Sequence, residues 1–399
     1  MHISNRIEAF EASPIRRLRP YSDKAKAEGK KVYHLNIGQP DIKTPKNLVD
    51  AVKNIEMDVL AYGPSDGLTE YREALPLYYK KHGVDLKPEN IMVTTGGSEA
   101  ILFTFMTICD PGDEIIIPEP FYTNFGGFAR MAGIKLVPIT AELEKGFRLP
   151  TIDAFAQKIT DKTKAIMICN PGNPTGHVYT KEDLFGLATL VKDHDLFFIA
   201  DEVYREFVYN GATHTSVMTL KGIEDRTVMV DSISKRYSAC GARIGFMISR
   251  NLDILAAALK LGQSRLCPPH VEQVAALAAI ETPDSYMADV LGEYEKRRDI
   301  VSHALEHMEG VVHSHPDGAF YIIARLPVDN AEKFAIFLLE EFDLAGETVM
   351  FAPASGFYAT EGLGEQEIRI AYVLNEHDLK ASMKILEAGL TAYRNKTAE

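Results

Sequence analysis

Between residues 91 and 249 the chain alternates short apolar runs with segments of helical spacing, and this alternation restricts the fold more than any other feature. The apolar runs fall at 91–95, 114–118, 135–138, 165–169, 197–201, 227–231 and 244–249, several of them bounded by Gly, Pro or Asp. Several are apolar on both faces, as strands are when helices cover a sheet on its two sides. Helical periodicity occupies 98–107, 181–194 and 252–261. Repetition of strand and helix predicts an α/β fold with a mostly parallel, seven-stranded sheet.

After about residue 283 the order changes. A charged helix over 286–308, an apolar run at 318–323, a helix near 331–342, a strand at 367–371 and a last helix from Glu376 predict a smaller α+β unit. A chain of 399 residues also exceeds the ~250–300 residues that one core sustains. The expectation is a large domain over 46–284 and a small domain made of 1–45 and 285–399. The first ~40 residues, rich in charge and proline, are expected to wrap onto the small unit or onto a neighbouring subunit.

Charge narrows the partners. A formal net charge of −13 argues against nucleic acid as the main partner, so an anionic substrate needs locally placed arginine or lysine. Four dispersed cysteines without a C-x-x-C pair are no disulfide framework and point to a reducing compartment. The start, Met1-His2-Ile3-Ser4-Asn5-Arg6, lacks a signal-like apolar stretch, and no run approaches the ~20 apolar residues that span a bilayer. A cytoplasmic protein with no membrane partner is expected. His303 and His307 stand four apart without the H-E-x-x-H pattern, and His313 and His315 read as strand-end polar residues, so no metal is expected.

The chemistry gathers around Lys235, in Ser232-Ile233-Ser234-Lys235, with Arg243 eight positions later. A lysine that condenses with a carbonyl needs a neutral amine, which desolvation or a nearby cation provides. Taken alone, such a lysine is usually a surface residue. Asp201 closes the apolar run Leu196–Ala200; a strand-end aspartate commonly caps a turn, but a buried one can hold a ring nitrogen protonated. Gly96-Gly97-Ser98 follows a strand and opens a helix, where backbone N–H groups bind anions; a plain helix cap at Ser98 is the alternative. The string Asn170-Pro171-Gly172-Asn173-Pro174-Thr175-Gly176 is more specific than a turn requires.

Taken in order along the chain, these motifs resemble the class I/II aminotransferases of the type I pyridoxal-phosphate fold, in an aspartate-aminotransferase-like form. The resemblance covers Gly38 to Arg369. It implies that Lys235 forms the Schiff base with pyridoxal 5'-phosphate and then shuttles the substrate proton. It implies that Asp201 pairs with the ring nitrogen, and that Tyr204 and Asn173 reach the phenolic oxygen. Gly97, Ser98, Ser232 and Arg243 are placed on the phosphate, and Tyr122 is placed on the ring face. Arg369 is implied as the clamp on the substrate α-carboxylate, helped by the Gly38 backbone. Tyr62 is implied to reach the phosphate of a partner subunit, which makes a homodimer with shared sites.

Two departures stand out. Cys240 precedes Gly241-Ala242-Arg243, where many relatives have a tryptophan before the arginine. Ser98 stands where some aspartate-acting relatives carry a lysine, so Arg265, Arg16, Arg17 and Arg19 become candidates for reading the substrate side chain. The implied reaction moves an amino group from an L-amino acid to a 2-oxo acid, with aspartate and 2-oxoglutarate the first expectation. Aromatic or neutral donors, or a carbon–sulfur β-lyase on the same scaffold, are the alternatives. A non-catalytic regulator is disfavoured by the intact set Lys235, Asp201 and Arg369.

Overall fold

The computed structural model describes residues 2–8, 10 and 13–398. Its strands, in chain order, are β1 Lys31–His34, β2 Ile91–Thr95, β3 Glu114–Glu119, β4 Lys135–Thr140, β5 Thr163–Cys169, β6 Phe197–Asp201, β7 Thr227–Ser232 and β8 Ile244–Ile248. They continue with β9 Val312–His313, β10 Tyr321–Arg325, β11 Glu347–Met350, β12 Ala352–Pro353 and β13 Glu367–Ala371.

The seven expected strands form one sheet in the order β2-β8-β7-β6-β5-β3-β4. β8 runs antiparallel to both neighbours, and the other pairings are parallel. The two-residue period of the strands sorts their side chains into two cores. Ile116, Ile166, Ile168, Phe198, Met229 and Phe246 pack on one face. Ile115, Ile117, Met167, Ile199, Val228 and Met247 pack on the other. Each step along a strand thus changes the layer it serves, which is why the runs read as apolar throughout.

Strands β3 and β4 run past the expected ends, to Glu119 and Thr140. Pro118 and Pro138 lie inside these strands rather than ending them. β4 is the sheet edge, where the N–H that proline lacks is not needed by a further neighbour. Glu119 is fully buried and accepts hydrogen bonds from Thr140 Oγ1 (2.8 Å), Ala359 N–H (2.7 Å) and Thr360 N–H (3.0 Å), which replace its lost hydration.

The later chain builds a four-stranded antiparallel sheet, β12-β13-β10-β9, around Phe320, Ile322, Phe334, Leu338 and Ile370. The charged helix spans Asp284–His307, and the last helix runs over Glu376–Ala398. The N-terminal segment joins this unit of its own chain. β1 pairs with β11 in parallel, and the helix Arg19–Ala27 packs on the helix Ala331–Glu340. No helix among the described residues is long and apolar enough to cross a membrane.

Candidate active site

The carboxyl ends of β2, β5, β6 and β7 open into a cavity of about 560 Å³, where loops of a parallel sheet usually bind ligands. At its floor the helix Gly96–Ile108 begins directly after β2. Thr95 is the N-cap residue and Ser98 lies within the first helical turn, so the structure does not place Ser98 as the plain cap. Gly97 and Ser98 line the cavity together with Ser232 and Arg243.

This end of the cavity depends on missing side chains. A Cβ at Gly245 would lie 2.3 Å from the Gly96 carbonyl carbon, and one at Gly96 would lie 2.3 Å from Arg243 Nη2. Gly96 also adopts φ +72°, which side-chain-bearing residues seldom take. Close packing of strand, helix start and guanidinium thus assembles an anion cradle from backbone N–H groups and a fixed cation. Arg243 itself has φ 53° and donates to the Cys240 carbonyl at 2.9 Å, which fixes the turn. Ser234 joins the cradle: its hydroxyl lies 2.8 Å from that of Ser232 and lines the cavity. The repeated serine in Ser232-Ile233-Ser234 was the available signal for it.

Lys235 follows on the short helix Ile233–Arg236. Its Nζ donates to the Gly38 carbonyl at 2.8 Å and lies 3.8 Å from Cys240 Sγ. Burial lowers its pKa against a raising effect of Cys240, and the Arg369 and Arg243 cations lower it further. Here Gly38 meets the lysine through its carbonyl; its Cα also packs so tightly on Tyr321 that a Cβ would clash with the ring.

Asp201 ends β6 and accepts the Val203 N–H at 3.2 Å. Burial pushes its carboxyl up to about 7, and no cation hydrogen-bonds it among the described residues. Tyr204 and Tyr321 place their hydroxyls 2.8 Å apart on the wall, with Tyr122 and Asn173 nearby on the same surface. Burial raises the hydroxyl pKa of Tyr204, Tyr321 and Tyr122.

Arg369, on β13, is almost fully buried. It donates from Nη1 to Asn173 Oδ1 (3.1 Å) and from Nη2 to the Asn36 carbonyl (2.6 Å). Its guanidinium lies 4.5 Å over the Tyr321 ring and 4.8 Å over that of Phe357, while its Nε has no partner among the described residues. Burial lowers its pKa, and no carboxylate pairs with it among the described residues. The structure therefore brings together every expected site residue except Tyr62, which is 80% exposed and lies outside the cavity.

Sequence reading missed the support beneath Lys235. Asp231 accepts the Ser232 N–H (2.7 Å), Tyr79 Oη (2.6 Å) and the Arg236 guanidinium, and pairs with Arg205 at 3.3 Å. Arg236 and Arg205 reach on to Glu206 and Glu202 at 3.4 and 3.6 Å. It also missed that Glu306 comes to His313 and His315, with ligand atoms within 4.8 Å on the surface away from the cavity.

Comparison with known proteins adds a family. The model described as aminotransferase class I and II matches residues 30–385. An aromatic-amino-acid aminotransferase of Thermococcus litoralis is 33% identical over 395 residues, covering 97% of this chain and 98% of its own. An aspartate aminotransferase of Pyrococcus horikoshii is 31% identical, covering 97% of each chain. A solved alanine aminotransferase of Pyrococcus furiosus superposes with a TM-score of 0.88 at 31% identity, covering 98% of this chain and 100% of its own.

Proposed function

The chain belongs to the class I and II aminotransferases, and on that premise we propose that Lys235, Asp201 and Arg369 are the working residues of a transaminase acting on an L-amino acid and a 2-oxo acid. Its cofactor is pyridoxal 5'-phosphate, on which this family depends. Three features of the cavity fit that group. The Gly96–Gly97 cradle with Arg243 suits a phosphate, the buried acid Asp201 has no cation hydrogen-bonded to it among the described residues, and Lys235 is a desolvated amine. When bound, pyridoxal phosphate supplies an aldehyde that condenses with amines and a ring that takes up the electron pair released at the substrate Cα.

The protein's own residues supply the rest. Gly97, Ser98, Ser232, Ser234 and Arg243 hold the phosphate, and Tyr122 covers the ring face. Asp201 holds a proton on the ring nitrogen, since an anion there raises the nitrogen's pKa. Tyr204 and Asn173 serve the phenolic oxygen. Arg369 grips the α-carboxylate and so fixes which Cα bond breaks. With its pKa lowered, Lys235 can hold a free electron pair at Nζ, accept the Cα proton there and return it.

The observation that carries this reading is the convergence, in one cavity, of a desolvated lysine, a buried acid and a buried arginine, the last two with no hydrogen-bonded counter-ion among the described residues. The same reading assigns the cofactor domain to 46–284 and the smaller domain to 1–45 with 285–399. It also makes the protein a cytoplasmic homodimer. Tyr62 at 80%, Val59 at 77% and Leu60 at 64% exposure form an apolar strip that a second copy would cover, bringing Tyr62 to the partner's phosphate. Relatives named for aromatic amino acids, aspartate and alanine support transamination but leave the donor open. Aspartate with 2-oxoglutarate is the proposed pair. A panel of amino donors with 2-oxoglutarate, read as glutamate formed, tests it: glutamate from aspartate is expected, and no glutamate from any donor overturns the reading.

A further inference from the structure

Four arginines outside the α-carboxylate clamp could read a substrate side chain, and the structure separates them. Arg17 is ion-paired with Glu332 at 2.5 Å, and Arg19 with Asp23 at 3.3 Å. Arg265 lies 3.3 Å from Glu99 and does not line the cavity of its own chain. Arg16 does line it, and its exposed guanidinium makes no hydrogen bond or ion pair among the described residues.

Its neighbours hold it there. The Asn36 side chain donates to the Ile15 carbonyl at 2.9 Å, while the Asn36 carbonyl accepts from Arg369 at 2.6 Å. Asn36 is itself almost fully buried, so one rigid residue positions both arginines. Pro14 packs so closely on Gly356 that a Cβ there would come within 2.3 Å of it, and Ile15 packs on the small core containing Phe357. With Ile15 anchored and Arg17 engaged elsewhere, the side chain that remains for the cavity is Arg16.

Charge gives the ligand's chemistry. The cavity wall carries three arginines, Arg16, Arg243 and Arg369, and the desolvated amine of Lys235, against one carboxylate, Asp201. Under the transaminase reading, Arg243 serves the phosphate, Arg369 the α-carboxylate and Lys235 the chemistry. One cation is left over, at the mouth. We infer that Arg16 binds the distal carboxylate of a dicarboxylic amino acid or oxo acid, making this N-terminal segment the specificity element of the site. The inference rests on the transaminase reading. A planar, permanently charged fork suits a carboxylate better than any other side chain would.

The test uses the cofactor-loaded enzyme, with aspartate and alanine as donors, and calorimetric titration with succinate and with propionate. In Arg16→Gln, kcat/KM for aspartate should fall roughly 10- to 100-fold, the range for losing a charged hydrogen bond, with the alanine value changed less than about threefold. Succinate affinity should fall by a similar factor while propionate affinity holds. Arg17→Gln should leave the aspartate-to-alanine ratio as it was. Equal losses for both donors, or no loss for either, would overturn the role of Arg16 while leaving transamination intact. Absence of turnover with every donor in the unmodified enzyme would instead strike the transaminase reading itself.

Discussion

Arg369 donates to Asn173 Oδ1 at 3.1 Å, tying β13 of the four-stranded sheet to the loop after β5 of the seven-stranded one. The bond aims the guanidinium into the cavity and lets Asn173 serve two tasks. Its carboxamide oxygen orients the arginine, and its nitrogen is left for a ligand.

Replacing this arginine tests the clamp. Arg369→Lys keeps the charge but loses the planar fork, so kcat/KM for the amino donor should drop about 10- to 100-fold, while cofactor absorbance stays that of the unmodified enzyme. Steady-state kinetics with a spectrum check it; a change under about threefold would show that another group binds the carboxylate.

The phosphate cradle is tested by adding one methyl group. In Gly245→Ala the new Cβ meets the Gly96 backbone, so the helix start must shift. Overpacking of this kind costs about 1–3 kcal/mol, and affinity for the cofactor should weaken by about tenfold or more. Urea unfolding and cofactor titration of the resolved apoprotein measure the two effects. Unchanged affinity would mean that the close approach is irrelevant to phosphate binding.

Asp231 should matter for stability out of proportion to its distance from any ligand. Asp231→Asn removes the shared anion of two buried guanidinium groups, and breaking such a pair typically costs about 3–5 kcal/mol. Asp195→Asn, at the exposed pair with Arg226, should cost under about 1 kcal/mol. Equal urea midpoints for the two variants would refute a supporting role for the buried network.

A pH dependence follows from Asp201. Burial raises its carboxyl from 3.8 to about 7, so between these values the folded apoprotein keeps a proton that the unfolded chain has released. Its folded state therefore loses stability as pH rises through that window. Asp201→Asn lacks the effect. Relative to the unmodified apoprotein, the variant should gain about 2–3 kcal/mol between pH 5 and pH 8. A difference that stays constant across that range would contradict the upward shift that burial gives this acid.

The fold was legible wherever local pattern decides it. Strands such as β2 and β6 match their predicted spans because apolar runs ended by Gly or Asp carry their own boundaries. Short β1, β9 and β12 were not found, since strands of two to four residues owe their form to a partner far along the chain. Site residues were visible when one motif carried them, as with Lys235 and Arg243. Tyr321 and Asn36 escaped notice because their roles arise from contacts far along the chain, with Tyr204 at a separation of 117 residues and with Arg369 at 333. Nor could spacing alone choose among Arg16, Arg17 and Arg19. That choice is made by Glu332 and Asp23, acids that draw two of the three away from the cavity.

The most direct measurement is borohydride reduction of the cofactor-loaded enzyme followed by peptide mapping. A single stable pyridoxyl label is expected on the peptide that contains Lys235, and none in Lys235→Ala. A label on a different lysine, or no label at all, would contradict the role proposed for Lys235.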